Sequence, residues 1–210
     1  MAQTLWEQRR GDQYLVWFDT EYSGLELEDA HLLQVAALIT DRSLKRVLPA
    51  EKDIQLTVHL PPEAAVSSWV EENLPDLVAA CRSSLSVELE ETDRLLADYI
   101  DSVAGQPAER ENHRPILAGN SVHADWRLAQ KFLPRFTNRL HYRHLDVTTL
   151  KIEWQNRNPD REFNKEDPQN IRCYFPEAYF FKSETRHDAY YDIQASIAEL
   201  SFYRQHLFLP

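Results

Sequence analysis

The chain has 210 residues, 43% of them hydrophobic and 27% charged, a composition ordinary for a globular protein and a length that buries a core without staples. Cys81 and Cys173 lie far apart without ligand-like spacing, which excludes a disulfide framework and a zinc motif. No apolar run nears the ~20 residues of a bilayer span, and residues 1–13 lack the apolar segment of a secretory signal. The expectation is therefore one domain over 1–210, with its core at about 13–206, in a reduced, cytoplasmic setting without membrane contact.

The formal charge of −11 bears on partners. Proteins that track long nucleic acids draw much of their affinity from basic surface. An acidic chain is poorly suited to that task, though it can still bind a very short nucleic acid if metal ions and a few cationic groups meet the phosphates locally.

In chain order, residues 13–19 form an aromatic and β-branched run that reads as a buried strand. A polar loop over 22–30 follows, and residues 31–40 read as a second strand, closed by the turn at Asp41, Arg42 and Ser43. Residues 44–48 and 54–60 are candidate strands completing an antiparallel start to a sheet. Pro61 and Pro62 block the sheet, a helix is expected over 63–73, and Pro75 should end or bend it. Residues 87–103 carry Leu89, Leu95, Leu96, Tyr99, Ile100 and Val103 at helical spacing. A short strand at 115–118 leads into Gly119, a helix into 122–132, a strand into 140–145 and a helix into 147–155. Residues 156–170 are polar, contain Pro159 and Pro168, and read as a loop inside an insertion over 156–182. Residues 187–205 give the last helix, with Ile193, Ile197, Leu200 and Tyr203 on one side. Strands first, then strand–helix alternation, point to an α/β fold with a mixed central sheet.

Three sequence pieces, holding four carboxylates and a histidine, are the candidates for chemistry. Asp19 and Glu21 stand two apart at the end of the first strand, so both carboxylates face one way, which is costly unless a cation neutralises them or one takes a proton. Asp125 follows Gly119 by six residues, about one turn into a helix. His187 and Asp192 are five apart, ~140° around one helix, so a shared site requires His187 to lie just before the helix. Each piece alone also fits a solvated acidic surface, and Asp188 and Asp192, four apart, could simply share such a face.

Taken in order, acid-x-acid on the first strand, Asp on a middle helix and His-x4-Asp on a late one resemble the DEDDh exonuclease superfamily. The stretches from Phe18 to Leu25, Gly119 to Ser121, His141 to Lys151 and Asp192 to Leu200 resemble its oligoribonuclease family, over residues 16–204 with 156–186 loosely covered. The resemblance implies a ribonuclease H-like fold, a five-stranded mixed β-sheet flanked by helices. It implies a metal-dependent 3′-to-5′ exoribonuclease that hydrolyses very short single-stranded RNA to nucleoside 5′-monophosphates. Asp19, Glu21, Asp125 and Asp192 would hold two Mg²⁺ or Mn²⁺ ions, and His187 would act as general base. It further implies a homodimer and a substrate-length cap built from Ser121, Arg143 and Thr148, with Tyr142 supplied by the partner subunit. Leu25 would be a wedge between bases, with Trp17 or Tyr22 adding apolar contact.

The chain departs from the family after Trp69, where Asn73 to Leu77 replace a histidine and small residues. It departs again at His144, where tyrosine is typical, at Trp126, where arginine is typical, and in the longer, aromatic segment before His187. These changes leave the acidic set intact and bear on substrate length. The alternatives are a broader DEDDh exonuclease on longer single-stranded DNA or RNA, with Arg127, Lys131, Arg135, Arg139 and Arg143 as its basic strip, a catalytically silent binding or dimer module, and a small-molecule phosphodiesterase.

Overall fold

The computed structural model describes residues 11–180 and 188–207. Its five strands are β1 (Tyr14–Tyr22), β2 (Leu32–Asp41), β3 (Ile54–Thr57), β4 (Ile116–Gly119) and β5 (His144–Asp146). They form one sheet in the order β3-β2-β1-β4-β5. β1, β2 and β3 pair antiparallel, while β4 runs parallel to β1 and β5 parallel to β4. The helices are α1 (Ser68–Asn73), α2 (Pro75–Cys81), α3 (Leu89–Ala104), α4 (His123–Phe132), α5 (Pro134–Thr137), α6 (Val147–Arg157), α7 (Pro168–Tyr174) and α8 (Ala189–Leu207). This is the mixed five-stranded sheet flanked by helices that the sequence implies. No helix among the described residues is long and apolar enough to cross a membrane.

The alternation of β1 sorts the core into two layers. Leu15 and Trp17 enter a cluster with Ile193, Ile197 and Leu200 of α8, and Val16 and Phe18 enter a second cluster with Leu96 and Ile100 of α3 and Leu128 of α4. Because residues two apart share a face, Asp19 and Glu21 continue the α8 side and Thr20 the α4 side. The middles of β1 and β2, Leu15 to Phe18 and Val35 to Ile39, are apolar on both faces, as a sheet covered on both sides requires.

Several expectations are corrected. Residues 44–48 form no strand: Asp41 Oδ1 accepts from Ser43 N at 2.8 Å and Lys45 N at 3.0 Å, and Leu44 takes a left-handed φ of 65°, so the run is spent on a turn. The helix expected over 63–73 begins only at Ser68, where Ser67 caps Val70 N. Pro75 does end that helix, as expected, since α1 stops at Asn73, and it also opens the first turn of α2. The strand expected over 140–145 is only three residues long. The polar stretch 156–170 is partly helical, since α7 opens at Pro168 under an Asp167 cap.

Candidate active site

The site is built at the end of β1 where the sheet runs out. Asp192, in the first turn of α8, comes against the face that carries Asp19 and Glu21, and one carboxylate oxygen from each lies within 4.8 Å of the others. The start of α8 is pinned onto the sheet: Asp188 Oδ1 accepts from Tyr190 N at 2.9 Å and Tyr191 N at 3.0 Å, Gln55 Nε2 of β3 donates to Asp188 Oδ2 at 3.2 Å, and Ala189 N donates to Gln34 Oε1 of β2 at 2.9 Å. These bonds satisfy N–H groups that a helix start otherwise leaves orphaned.

Asp125 arrives from the other side, on α4. Gly119 ends β4 where chains crowd: a Cβ there would stand 3.0 Å from Phe18 O and 3.1 Å from Val122 Cγ1. α4 follows at once, and Asp125 Oδ1 accepts from Thr20 N at 3.0 Å and Thr20 Oγ1 at 2.7 Å. The residue between the two β1 acids, pointing the opposite way, thus holds the third. Sequence reading missed this role, although the parity of β1 contains it.

Electrostatically the site is incomplete. Burial, then Asp125, Asp192 and Glu21, hold the Asp19 carboxyl well above the usual carboxylate range. Burial, then Asp192, Asp188 and Asp125, push Glu21 up to about 8. Burial raises Asp125 to about 6 against the two Thr20 bonds. Like charges so placed cannot all ionise without added positive charge. An all-carboxylate donor set fits hard divalent cations such as Mg²⁺ or Mn²⁺. One cation of the chain already reaches in: Lys165 Nζ lies 3.1 Å from Asp192 Oδ1, a contact unmarked in the sequence reading.

A cavity of about 590 Å³ opens from the carboxylates. Leu25, 86% exposed, and Trp69, 50% exposed, stand on its walls, with Tyr22 and Ser121. Leu25 rides the loop over 23–31, which is closed by Ser23 N to His31 O and His31 N to Ser23 Oγ and tied to α1 by Ser67 N to Ser23 O. Trp17, by contrast, is fully buried with its indole N–H donating to Thr40 Oγ1, which removes it from contact with any ligand.

Ser121 adopts φ 50°, a strained value outside glycine, and its N–H donates to Asp146 Oδ1 and Thr148 Oγ1, both at 2.9 Å. Its hydroxyl lies 3.2 Å from the Thr148 hydroxyl, so these two expected binding residues form one cluster, which Asn120 ties to α8 through Ser196 Oγ and Glu199 Oε2, each at 2.9 Å. Thr148 N also receives the Asp146 cap of α6. Tyr142 and Arg143 are exposed, stack on each other at 5.2 Å and do not line the cavity. His187 lies outside the described residues.

The candidate basic strip is largely spent internally. Arg135 pairs with Glu90 at 3.1 Å, Arg139 with Asp101 at 2.7 Å, and Lys131 Nζ donates to the carbonyls of Glu28 and Ala30.

Comparison with known proteins matches residues 16–200 to the family model described as Exonuclease. The chain is 32% identical over 205 residues to the mitochondrial oligoribonuclease of Mus musculus and 31% identical to that of Bos taurus, covering 93% of this chain and 74% of each relative. It is 29% identical over 196 residues to an oligoribonuclease of Francisella tularensis subsp. holarctica, covering 92% of this chain and 95% of that one. Among solved structures, cell-death related nuclease 4 superposes with a TM-score of 0.62 at 11% identity, over 93% of this chain and 64% of that one. Product-bound exonuclease I superposes with 0.60 at 11% identity, over 92% and 44%. The chain spans less than two thirds of each of these two solved chains, and at such identity they speak to the fold alone.

Proposed function

The chain belongs to the oligoribonuclease family of DEDDh exonucleases and is a 3′-to-5′ exonuclease, and from that premise we propose that its substrates are very short single-stranded RNAs, released as nucleoside 5′-monophosphates. The observation that carries this reading is the junction of the Asp19, Glu21 and Asp192 cluster with a cavity of about 590 Å³ walled by Leu25 and Trp69. That volume is in the range of small-ligand pockets rather than of an extended binding channel. The pairing of Arg135 and Arg139 with the chain's own acids, under a net charge of −11, leaves little basic surface for a long strand.

Asp19, Glu21, Asp125 and Asp192 would hold two divalent ions. Bound there, such ions lower the pKa of an attacking water and stabilise charge on the departing 3′ oxygen. Thr20 fixes Asp125 through Oδ1, and the Asp188 cap fixes the turn of α8 that carries Asp192. His187, five residues before Asp192, is assigned as general base on its near-neutral chemistry and on the family pattern. Leu25 and Trp69 offer apolar contact to bases, while Ser121 and Thr148 are assigned to the terminal phosphate. Tyr142 and Arg143, exposed and stacked beyond the cavity, suit a site completed by a second copy of the chain in a homodimer.

The test is a length series of 5′-labelled RNAs from two to about seven nucleotides with Mg²⁺ or Mn²⁺, run beside EDTA and Asp19→Asn controls. Fastest loss of the dinucleotide, with both controls silent, is the expected result. Rates that climb with length would move the assignment to the broader exonuclease, and an Asp19→Asn enzyme of wild-type rate would sink the metal site.

A further inference from the structure

Lys165 stands in the loop between α6 and α7, in the segment that the family resemblance covers only loosely, yet its main chain is firmly held. Tyr191 Oη, from the residue beside Asp192, donates to Lys165 O at 2.7 Å. Asn170 Nδ2 donates to Asn164 O at 2.9 Å, and Glu166 N to Asn164 Oδ1 at 3.0 Å. Two residues upstream, Phe163 is buried against Phe202 of α8 and Tyr174 of α7, with ring centroids at 5.7 and 5.9 Å. Further back, Trp154 Nε1 donates to Arg161 O. The ammonium thus meets Asp192 from a backbone anchored to the helix that carries Asp192.

Its target is one of the three carboxylates whose oxygens gather within 4.8 Å. The Lys165 charge acts on Asp19 and Glu21 as well as on Asp192. An ammonium is a compact cation with three donors and no acceptor, so it can serve a carboxylate cluster but cannot share a carboxylate oxygen with a metal ion without repelling it.

We propose that Lys165 is a built-in counter-ion of the carboxylate site, neutralising Asp192 when divalent ions are absent and yielding it when they bind. This rests on the metal-site reading above. The insertion then sets how much free metal the enzyme needs, because every loading event must first break the Lys165–Asp192 pair.

The test compares wild type, Lys165→Met and Lys165→Arg by two readouts that need no substrate. By calorimetric or paramagnetic titration, Lys165→Met should bind Mn²⁺ about fivefold more tightly than wild type, the scale of one partly exposed ion pair, while Lys165→Arg should stay close to wild type. In EDTA, Lys165→Met should melt below wild type, and that difference should vanish in an Asp192→Asn background. Unchanged Mn²⁺ affinity in Lys165→Met, or weaker binding, overturns the displacement. Equal melting of Lys165→Met and wild type in EDTA overturns the counter-ion pair. Failure of wild type and Lys165→Met alike to bind Mn²⁺ removes the metal reading and the displacement together, while the EDTA melts still decide the pair.

Discussion

Two acidic sites flank the start of α8, the single carboxylate of Asp53 and the set of Asp19, Glu21, Asp125 and Asp192, and the fold neutralises only the first. Asp53 is met from three sides: by Arg46, by Tyr190 Oη at 2.7 Å and by Tyr99 Oη at 3.1 Å. Arg46 in turn donates to Gln194 Oε1 at 3.0 Å and to Glu177, so the Arg46–Asp53 pair, with side chains only 8% and 3% exposed, is satisfied by the protein itself. At the other cluster, among the described residues, Lys165 is the cation that meets Asp19, Glu21 and Asp192, and Asp125 is held by the neutral donors of Thr20. A buried carboxylate that the fold neutralises is a structural device, whereas a set left in mutual repulsion is a site waiting for a ligand.

The largest test of that contrast pairs Asp19→Asn with Asp53→Asn. Neutralising Asp19 should cut turnover by ~10³-fold or more, the scale of losing a group at a reacting centre. It should also raise the melting temperature in EDTA, because one repelled charge has gone. Asp53→Asn should do the reverse. It strands Arg46 and costs about 3 kcal/mol, a drop of roughly 6–12 °C for a chain of this size, with activity per folded molecule retained. Both variants losing stability to a similar degree would erase the distinction.

The same contrast has a pH signature. Glu21 titrates near 4.5 when unfolded and about 8 in the metal-free fold, so over that window the folded chain holds a proton that the unfolded chain has lost. Metal-free stability from this group is therefore fully present below pH 4.5 and lost as pH rises through about 8. Thermal melts in EDTA from pH 5 to 8 should show a falling midpoint, with Glu21→Gln flattening the fall and saturating Mg²⁺ restoring stability most at the alkaline end. A midpoint that rises steadily across the window in EDTA would contradict the repulsion assigned to the cluster.

What was legible in the sequence follows from how local each feature is. Asp19 and Glu21 were readable because a strand's period puts them on one face, and Gly119 to Asp125 because a tight turn into a helix is written in adjacent residues. The sheet's middle was readable for the same reason. Lys165 was not, because it sits between Pro159 and Pro168 in a polar stretch without periodicity, and tertiary contacts such as the burial of Phe163 and the Tyr191 bond bring it to Asp192, 27 residues on. Trp17 was misjudged as a base contact because an aromatic near the acids looks alike whether it faces a ligand or, as here, donates to Thr40 in the core.

The smallest effect concerns Thr20, which links the fold's parity to its chemistry. Thr20 is buried, and its hydroxyl donates to Asp125 at 2.7 Å while its N–H donates to the same oxygen at 3.0 Å. Thr20→Val keeps the shape of the side chain and the backbone bond but deletes one of these two donors. A hydrogen bond to a charged partner is worth about 1.5–3 kcal/mol, yet Asp125 retains the backbone donor, so the loss should fall at the low end, about tenfold in kcat. In the metal-free chain Asp125, pushed up to about 6 by burial against the Thr20 bonds, should titrate higher still once the hydroxyl donor is gone, which a carboxyl NMR titration in EDTA reads directly. An unchanged Asp125 titration in EDTA, with kcat unchanged, would mean that the backbone bond alone sets Asp125 and that the Thr20 side chain plays no part in positioning it.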